Sequence, residues 1–169
     1  MEVIKYLILF LILIISTLIG RTMAKKYVYR VEELEEIKVA LNILKTKIRF
    51  TYEPIPEIFT EIAQNTTRNI KNIFVNAKEK MKESTAETAW QESVDEANAN
   101  LNNEDKRAIK TLAKLLGQTD SEGQIGQIEI TEKFIEEQIQ DAILARQKNE
   151  KLYTRLGTIL GMTIVIILA

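Results

Sequence analysis

The chain has 169 residues, with 23 Lys and Arg set against 24 Asp and Glu. That near-neutral balance gives no electrostatic reason to bind nucleic acid, which calls for a clustered basic surface. Cys and His are both absent, which excludes disulfides, thiolate metal sites, a lipid-anchored Cys and an imidazole base. Two prolines and six glycines suit long helices better than a turn-rich β architecture.

Residues 3–20 read VIKYLILFLILIISTLIG, with Lys5 as the only charge. At 1.5 Å per residue this stretch makes about 27 Å of helix, close to the ~30 Å of a bilayer's hydrocarbon. Arg21, Lys25, Lys26 and Arg30 follow the apolar run. A cleaved secretory signal has the opposite order, so a retained membrane anchor over residues 1–24 is expected.

The next helix carries Leu34, Ile37, Leu41, Leu44 and Ile48 at helical spacing and runs to about Phe50. Glu32, Glu33, Glu35 and Glu36 fall mostly off that stripe and read as a solvated acidic face. Only Gly20 interrupts residues 3–50, so anchor and helix are expected to be continuous. Pro54 and Pro56 end it, because proline disfavours helical backbone in the residue before it. Pro56 also suits the first turn of a second helix bearing Ile58, Phe59 and Ile62. Asn65-Thr66-Thr67 has the form of a glycosylation sequon, but in a cytoplasmic domain it reads as a helix end.

A third helix carries Ile70, Ile73, Phe74, Ala77 and Met81. Ser84 and Glu87 have capping-box spacing and are expected to open a fourth, with Ala89, Trp90 and Val94 on its apolar face. Trp90 reads as a core residue rather than a stacking platform for a ligand. After the polar residues 98–103 comes a fifth helix with Ile109, Leu112, Leu115 and Leu116, closed by Gly117 as a left-handed cap. Thr119 and Glu122 then offer a capping box for the last helix. Its stripe of Ile128, Ile135, Ile139, Ala142 and Leu152 leads into a second apolar stretch.

That stretch, residues 156–169, has no charge and is short, about 21 Å as helix. It follows Arg146, Lys148, Lys151 and Arg155, and Tyr153 is placed like an interfacial aromatic. Insertion is expected, with thinning of the bilayer or extension back through Tyr153 absorbing the mismatch. Both basic flanks lie on the inner side of their apolar runs. The positive-inside rule therefore places the middle in the cytoplasm and both termini across the membrane. The expected fold is all-α: a six-helix bundle over residues 25–152 whose first and last long helices continue into spans at 1–24 and 153–169.

Few residues offer chemistry. Asp120 and Glu122 have the polar company of a calcium loop but lack its further acidic positions and terminal bidentate Glu. No phosphate-binding loop occurs, and no carboxylate pair has a third group to hold it. No catalytic residue, cofactor or metal is expected. Gly157 and Gly161 form G-x-x-x-G, and Ser16 and Gly20 form a small-x-x-x-small pair, spacings that let helix backbones approach closely in lipid. Contact between the spans is expected within one chain or, as a homo-oligomer, between chains.

Several motifs follow one another along the chain. The first span ends STLIG and is followed by basic residues, and a long helix leads to Glu53-Pro54-Ile55-Pro56-Glu57. Ser84-Thr85-Ala86-Glu87-Thr88-Ala89-Trp90 comes next, then Leu115-Leu116-Gly117-Gln118-Thr119-Asp120 with Gly123-Gln124. Lys151-Leu152-Tyr153 and Leu156-Gly157 open the last span. Together these resemble the stage III sporulation protein AB family from end to end, although the last span ends early and the third helix is rather polar.

The resemblance implies a structural role in endospore formation, in the mother-cell membrane around the forespore. It implies membership of a channel-like complex with other stage III proteins, and a cytoplasmic domain similar to the F-type platform proteins of type II secretion. The implied partner is a secretion-type ATPase, stage III sporulation protein AA. Pro54, Pro56, Trp90, Gly117, Asp120, Gly123 and Gln124 are the family-motif residues and are expected to be structural. A membrane-tethered helical adaptor, or a secretion or pilus platform unrelated to sporulation, has the same architecture and stands as the alternative.

Overall fold

The computed structural model describes residues 2–51, 53–114 and 121–168. Its regular elements are all helical: α1 (Glu2–Phe50), α2 (Ile55–Gln64), α3 (Arg68–Lys80), α4 (Ala86–Asp95), α5 (Asn103–Thr111), a 3-10 turn (Leu112–Lys114) and α6 (Ser121–Leu168). The fold is all-α, with no strand among the described residues. Two compact units divide it, one of Met1–Val31 with Asp141–Ala169 and one of Glu32–Gln140. Because α1 has no proline and one glycine, nothing in its sequence stops the backbone hydrogen bonds before Phe50. It is one helix, as is α6.

The unit of residues 32–140 has a conventional apolar core. Leu34, Ile37, Leu41 and Leu44 of α1 are buried with Ile128 and Ile135 of α6, and Ile58, Ile62, Ile70 and Ile73 of α2 and α3 are buried too. Pro54 caps α2 and Pro56 lies in its first turn. The Pro54 carbonyl accepts from Glu57 N at 2.9 Å and Ile58 N at 3.2 Å, so the chain turns without losing its first helical bonds.

Two start signals differ from expectation. The residue that caps α4 is Thr85, not Ser84: its hydroxyl accepts from Thr88 N at 3.2 Å. The Ser84 hydroxyl instead donates back to Lys80 O at 3.0 Å, closing the turn after α3. Neighbouring Ser and Thr both qualified as caps, and the preceding turn consumed the first of them. The reciprocal box belongs to α5. There Asn102 Oδ1 accepts from Asp105 N at 2.7 Å, and Asp105 accepts from Asn102 N at 2.8 Å. The expected box at Thr119 and the cap at Gly117 lie outside the described residues.

In the other unit the two apolar windows are long and apolar enough to cross a membrane, and only 11% of each is buried. A core helix of a water-soluble domain would be mostly covered. The C-terminal stretch is therefore not a buried core helix. Leu152 departs from the expected stripe and is 45% exposed. The buried positions of α6 beyond residue 141 are Ala142, Gly157 and Gly161.

Candidate interaction sites

In the unit formed by the two chain ends, α1 and α6 meet at small residues. A Cβ placed on Gly20 would come within 2.6 Å of the Tyr153 carbonyl oxygen and 2.8 Å of Gly157 Cα. One on Gly157 would meet Gly20 Cα and Ser16 O at 2.8 Å each. These neighbours are backbone, so only hydrogen fits at either position without moving a helix. Gly161 is looser, facing the Ser16 and Leu13 side chains at 3.0 and 3.1 Å. The Ser16 hydroxyl donates to the Gly157 carbonyl at 2.6 Å. Further along, Tyr27 and Tyr153 stack with centroids 5.7 Å apart. All four small residues named from the sequence thus share one contact, made within a single chain.

The family-motif residues in the other unit play separate parts. Trp90 is 2% exposed and packs against Phe59 and Phe74, with ring centroids 5.3 and 5.2 Å away. Its indole N–H donates to Ile109 O at 2.9 Å, which satisfies the single polar atom of the ring and ties α4 to α5. Gly123 and Gln124 lie half-buried in the first turn of α6. Gly117 and Asp120 lie outside the described residues.

Along residues 32–140, α1 and α6 are laced by opposite charges. Lys38 pairs with Glu136 at 2.7 Å, Lys45 with Glu132, and Arg49 with Glu129 at 3.4 Å. The Lys38 ammonium, by hydrogen bond and charge, holds the Glu136 carboxyl below the usual carboxylate range. Lys38 is raised by the same bond. At the end of α1, Lys47 reaches Glu61 at 2.6 Å and Glu53 at 3.2 Å across the proline turn, and both raise it, Glu61 more. Beside the ladder, Ile130 and Phe134 of α6 stay 65% and 41% exposed and line a groove of about 360 Å³ with Ala108 and Thr111 of α5. Among the described residues no group of three or more acidic side chains is placed to hold a metal.

Against this geometry, a family model described as stage III sporulation protein AB matches residues 5–169. The chain belongs to the stage III sporulation protein AB family. A relative with that name from Bacillus subtilis strain 168 is 25% identical over 161 residues, covering 93% of this chain and 94% of the relative. A solved structure, again of stage III sporulation protein AB, superposes with a TM-score of 0.66 at 20% identity. It covers 71% of this chain and 98% of the solved one, and shows that the fold is shared.

One feature of this family member lay outside the motifs. Glu33 is 4% exposed, although the acidic run read as a solvated face. Its Oε1 accepts from Asn69 Nδ2 at 2.7 Å and Asn100 Nδ2 at 3.1 Å, and its Oε2 from Asn100 N at 2.5 Å. Glu36 accepts from both the backbone N and the hydroxyl of Thr67 at 2.9 Å. Two carboxylates of α1 therefore hold the start of α3 and the α4–α5 loop. A signal was present in the sequence: Glu33 precedes Ile37 by four residues and Leu41 by eight, which puts it on the buried stripe. Glu32 and Glu35 are exposed, so the solvated reading applies to half the run.

Proposed function

We propose that this sporulation protein is a structural, non-catalytic component of the complex that joins mother cell and forespore. It sits in the mother-cell membrane as a platform for a cytoplasmic secretion-type ATPase, stage III sporulation protein AA. The observation that carries this reading is the pairing of two apolar helix ends from one chain at Gly20 and Gly157. A paired anchor of this kind, at residues 1–24 and 153–169, holds both ends of an intervening domain at one membrane. A platform needs that arrangement and a charged surface for partners, and it needs no reaction chemistry.

The basic residues at 21–30 and 146–155 support a cytoplasmic place for residues 25–152, with both termini on the opposite side. Reporter fusions in the 98–103 region and after residue 169 test the topology. A cytoplasmic signal from the terminal fusion overturns it. For the platform, the full chain is expressed in Bacillus subtilis lacking its own AB protein. Restored heat-resistant spores, with the AA ATPase co-isolating from detergent-solubilised membranes, are the expected result. Restored spores without the ATPase would leave a sporulation anchor that is not its platform.

A further inference from the structure

The cations of the two units have different surroundings. In residues 32–140, Lys38, Lys45, Lys47, Arg49, Lys80, Lys82 and Lys110 pair with carboxylates, whereas, among the described residues, Lys71, Lys78, Lys106, Arg107 and Lys133 do not. Around the apolar ends unpaired cations predominate. Arg21, Lys25, Lys26, Lys148, Lys151 and Arg155 are exposed and, among the described residues, make no ion pair. Glu150 is the one carboxylate side chain within residues 21–31 and 142–168, and it is taken by Arg146 at 3.0 Å.

These six cations ride on helices that touch at Gly20–Gly157 and again at Tyr27–Tyr153. The chain therefore gathers like charge on two packed helices where no carboxylate pairs with these six cations, an arrangement that is unfavourable unless something outside supplies anions. Arg21 directly follows Gly20 and Arg155 directly precedes Leu156, so the collar begins where each apolar run stops. From residue 148 to 155 it covers about 11 Å of helix, enough to cross a headgroup layer of roughly 5–7 Å. Tyr27, Tyr29 and Tyr153 lie among the cations, and tyrosine favours that depth.

We propose that this collar is a binding surface for anionic phospholipid headgroups, selecting them over zwitterionic lipid around the paired spans. The inference rests on the membrane reading above. It adds a ligand class to it: the phosphodiester and neighbouring negative charge of lipids such as phosphatidylglycerol. Clusters of four to eight basic residues beside a span attract anionic lipid with an effect of about fivefold per cation, screened by salt.

The test uses the full chain reconstituted in phosphatidylcholine bilayers with trace spin-labelled phosphatidylglycerol or phosphatidylcholine. Electron spin resonance then gives the relative association of each label with the protein. A severalfold preference for the anionic label is expected in about 20 mM salt, shrinking towards none at about 0.5 M. The variant Lys25→Gln/Lys26→Gln/Lys148→Gln/Lys151→Gln loses most of it, and the matching Lys→Arg variant keeps it. Equal association of both labels with the parent chain, or an undiminished preference in the Gln variant, overturns the proposal. Carbonate extraction of the same samples separates the two readings. Firm insertion without lipid preference sinks only the collar, whereas extraction of the chain by carbonate sinks the membrane anchor.

Discussion

Between residues 128 and 139, α6 buries Ile128, Ile135 and Ile139, whereas from 157 to 161 it offers two glycines to its neighbour. The same pair of helices, α1 and α6, is thus packed by branched side chains in one unit and by near-bare backbone in the other. With the chain ends placed in a membrane, as proposed above, the contrast follows from the surroundings. In water, large apolar side chains are driven together because burial removes them from solvent. In hydrocarbon they gain nothing by leaving lipid, so the contact must come from close backbone approach and a polar link such as Ser16 to Gly157. The charge ladder repeats the lesson, since ion pairs join α1 to α6 in residues 32–140, while the cations at 21–26 and 148–155 stay open.

Substitutions break the comparison from either side. The largest effect is expected at the aromatic cluster: Trp90→Ala removes a fully packed ring and its hydrogen bond to the Ile109 carbonyl, which keeps the Leu112 N–H, costing about 3–5 kcal/mol. Denaturant unfolding of residues 32–140, followed by circular dichroism in the full chain, measures it. A loss below about 1 kcal/mol would mean that the cluster is not the core of the domain.

Next comes Gly20→Leu, which drives a side chain into the Tyr153 carbonyl and Gly157 Cα. Cysteine pairs introduced at the helix contact, clean because the chain has no native Cys, should lose most of their crosslinking yield. Gly161→Leu meets only side chains and should lose less. Equal yields in all three proteins would show that small residues do not mediate the contact. Neither change should alter the unfolding of residues 32–140.

Glu33→Gln is smaller again. It keeps the shape of the side chain but exchanges a carboxylate oxygen for a donor facing Asn69 and Asn100, costing about 1–3 kcal/mol. Glu32→Gln, on the exposed side of the same run, should cost nothing measurable. If the two variants melt alike, the buried clamp has no energetic role.

The ion ladder should give the least. Lys38 depresses the Glu136 pKa in the folded chain, so its contribution is present above the usual Glu value of about 4.3 and disappears as pH falls through the folded pKa. Comparing melting temperatures of the parent and Glu136→Gln from neutral pH down to about 3 reads this term. The two curves should converge at the acid end, and a constant offset would contradict the pairing.

Long-period features were legible in the sequence. The stripe from Leu34 to Ile48, the apolar runs and the proline turn each repeat one physical rule over many residues, so a single odd residue cannot hide them. Single-residue choices were not. Ser84 and Thr85 are both competent caps, and which one serves α4 depends on how the α3 turn closes. Glu33 looked solvated because its partners, Asn69 and Asn100, lie 36 and 67 residues away. A carboxylate on a buried stripe is an unmade hydrogen-bond problem, and only the fold supplies its answer. The small residues at Ser16, Gly20, Gly157 and Gly161 were visible as spacing, while their unequal tolerance emerges only from the distances.

The sole tryptophan has an optical consequence. Trp90 is sealed among Phe59 and Phe74, with its indole N–H bonded to a backbone carbonyl, so its emission belongs at the blue end of the indole range. No other tryptophan contributes. Excited selectively, the full chain in a bilayer therefore glows from one place, inside residues 32–140. A red shift marks the opening of that interior alone, and the apolar helix ends, which have no tryptophan, remain dark throughout.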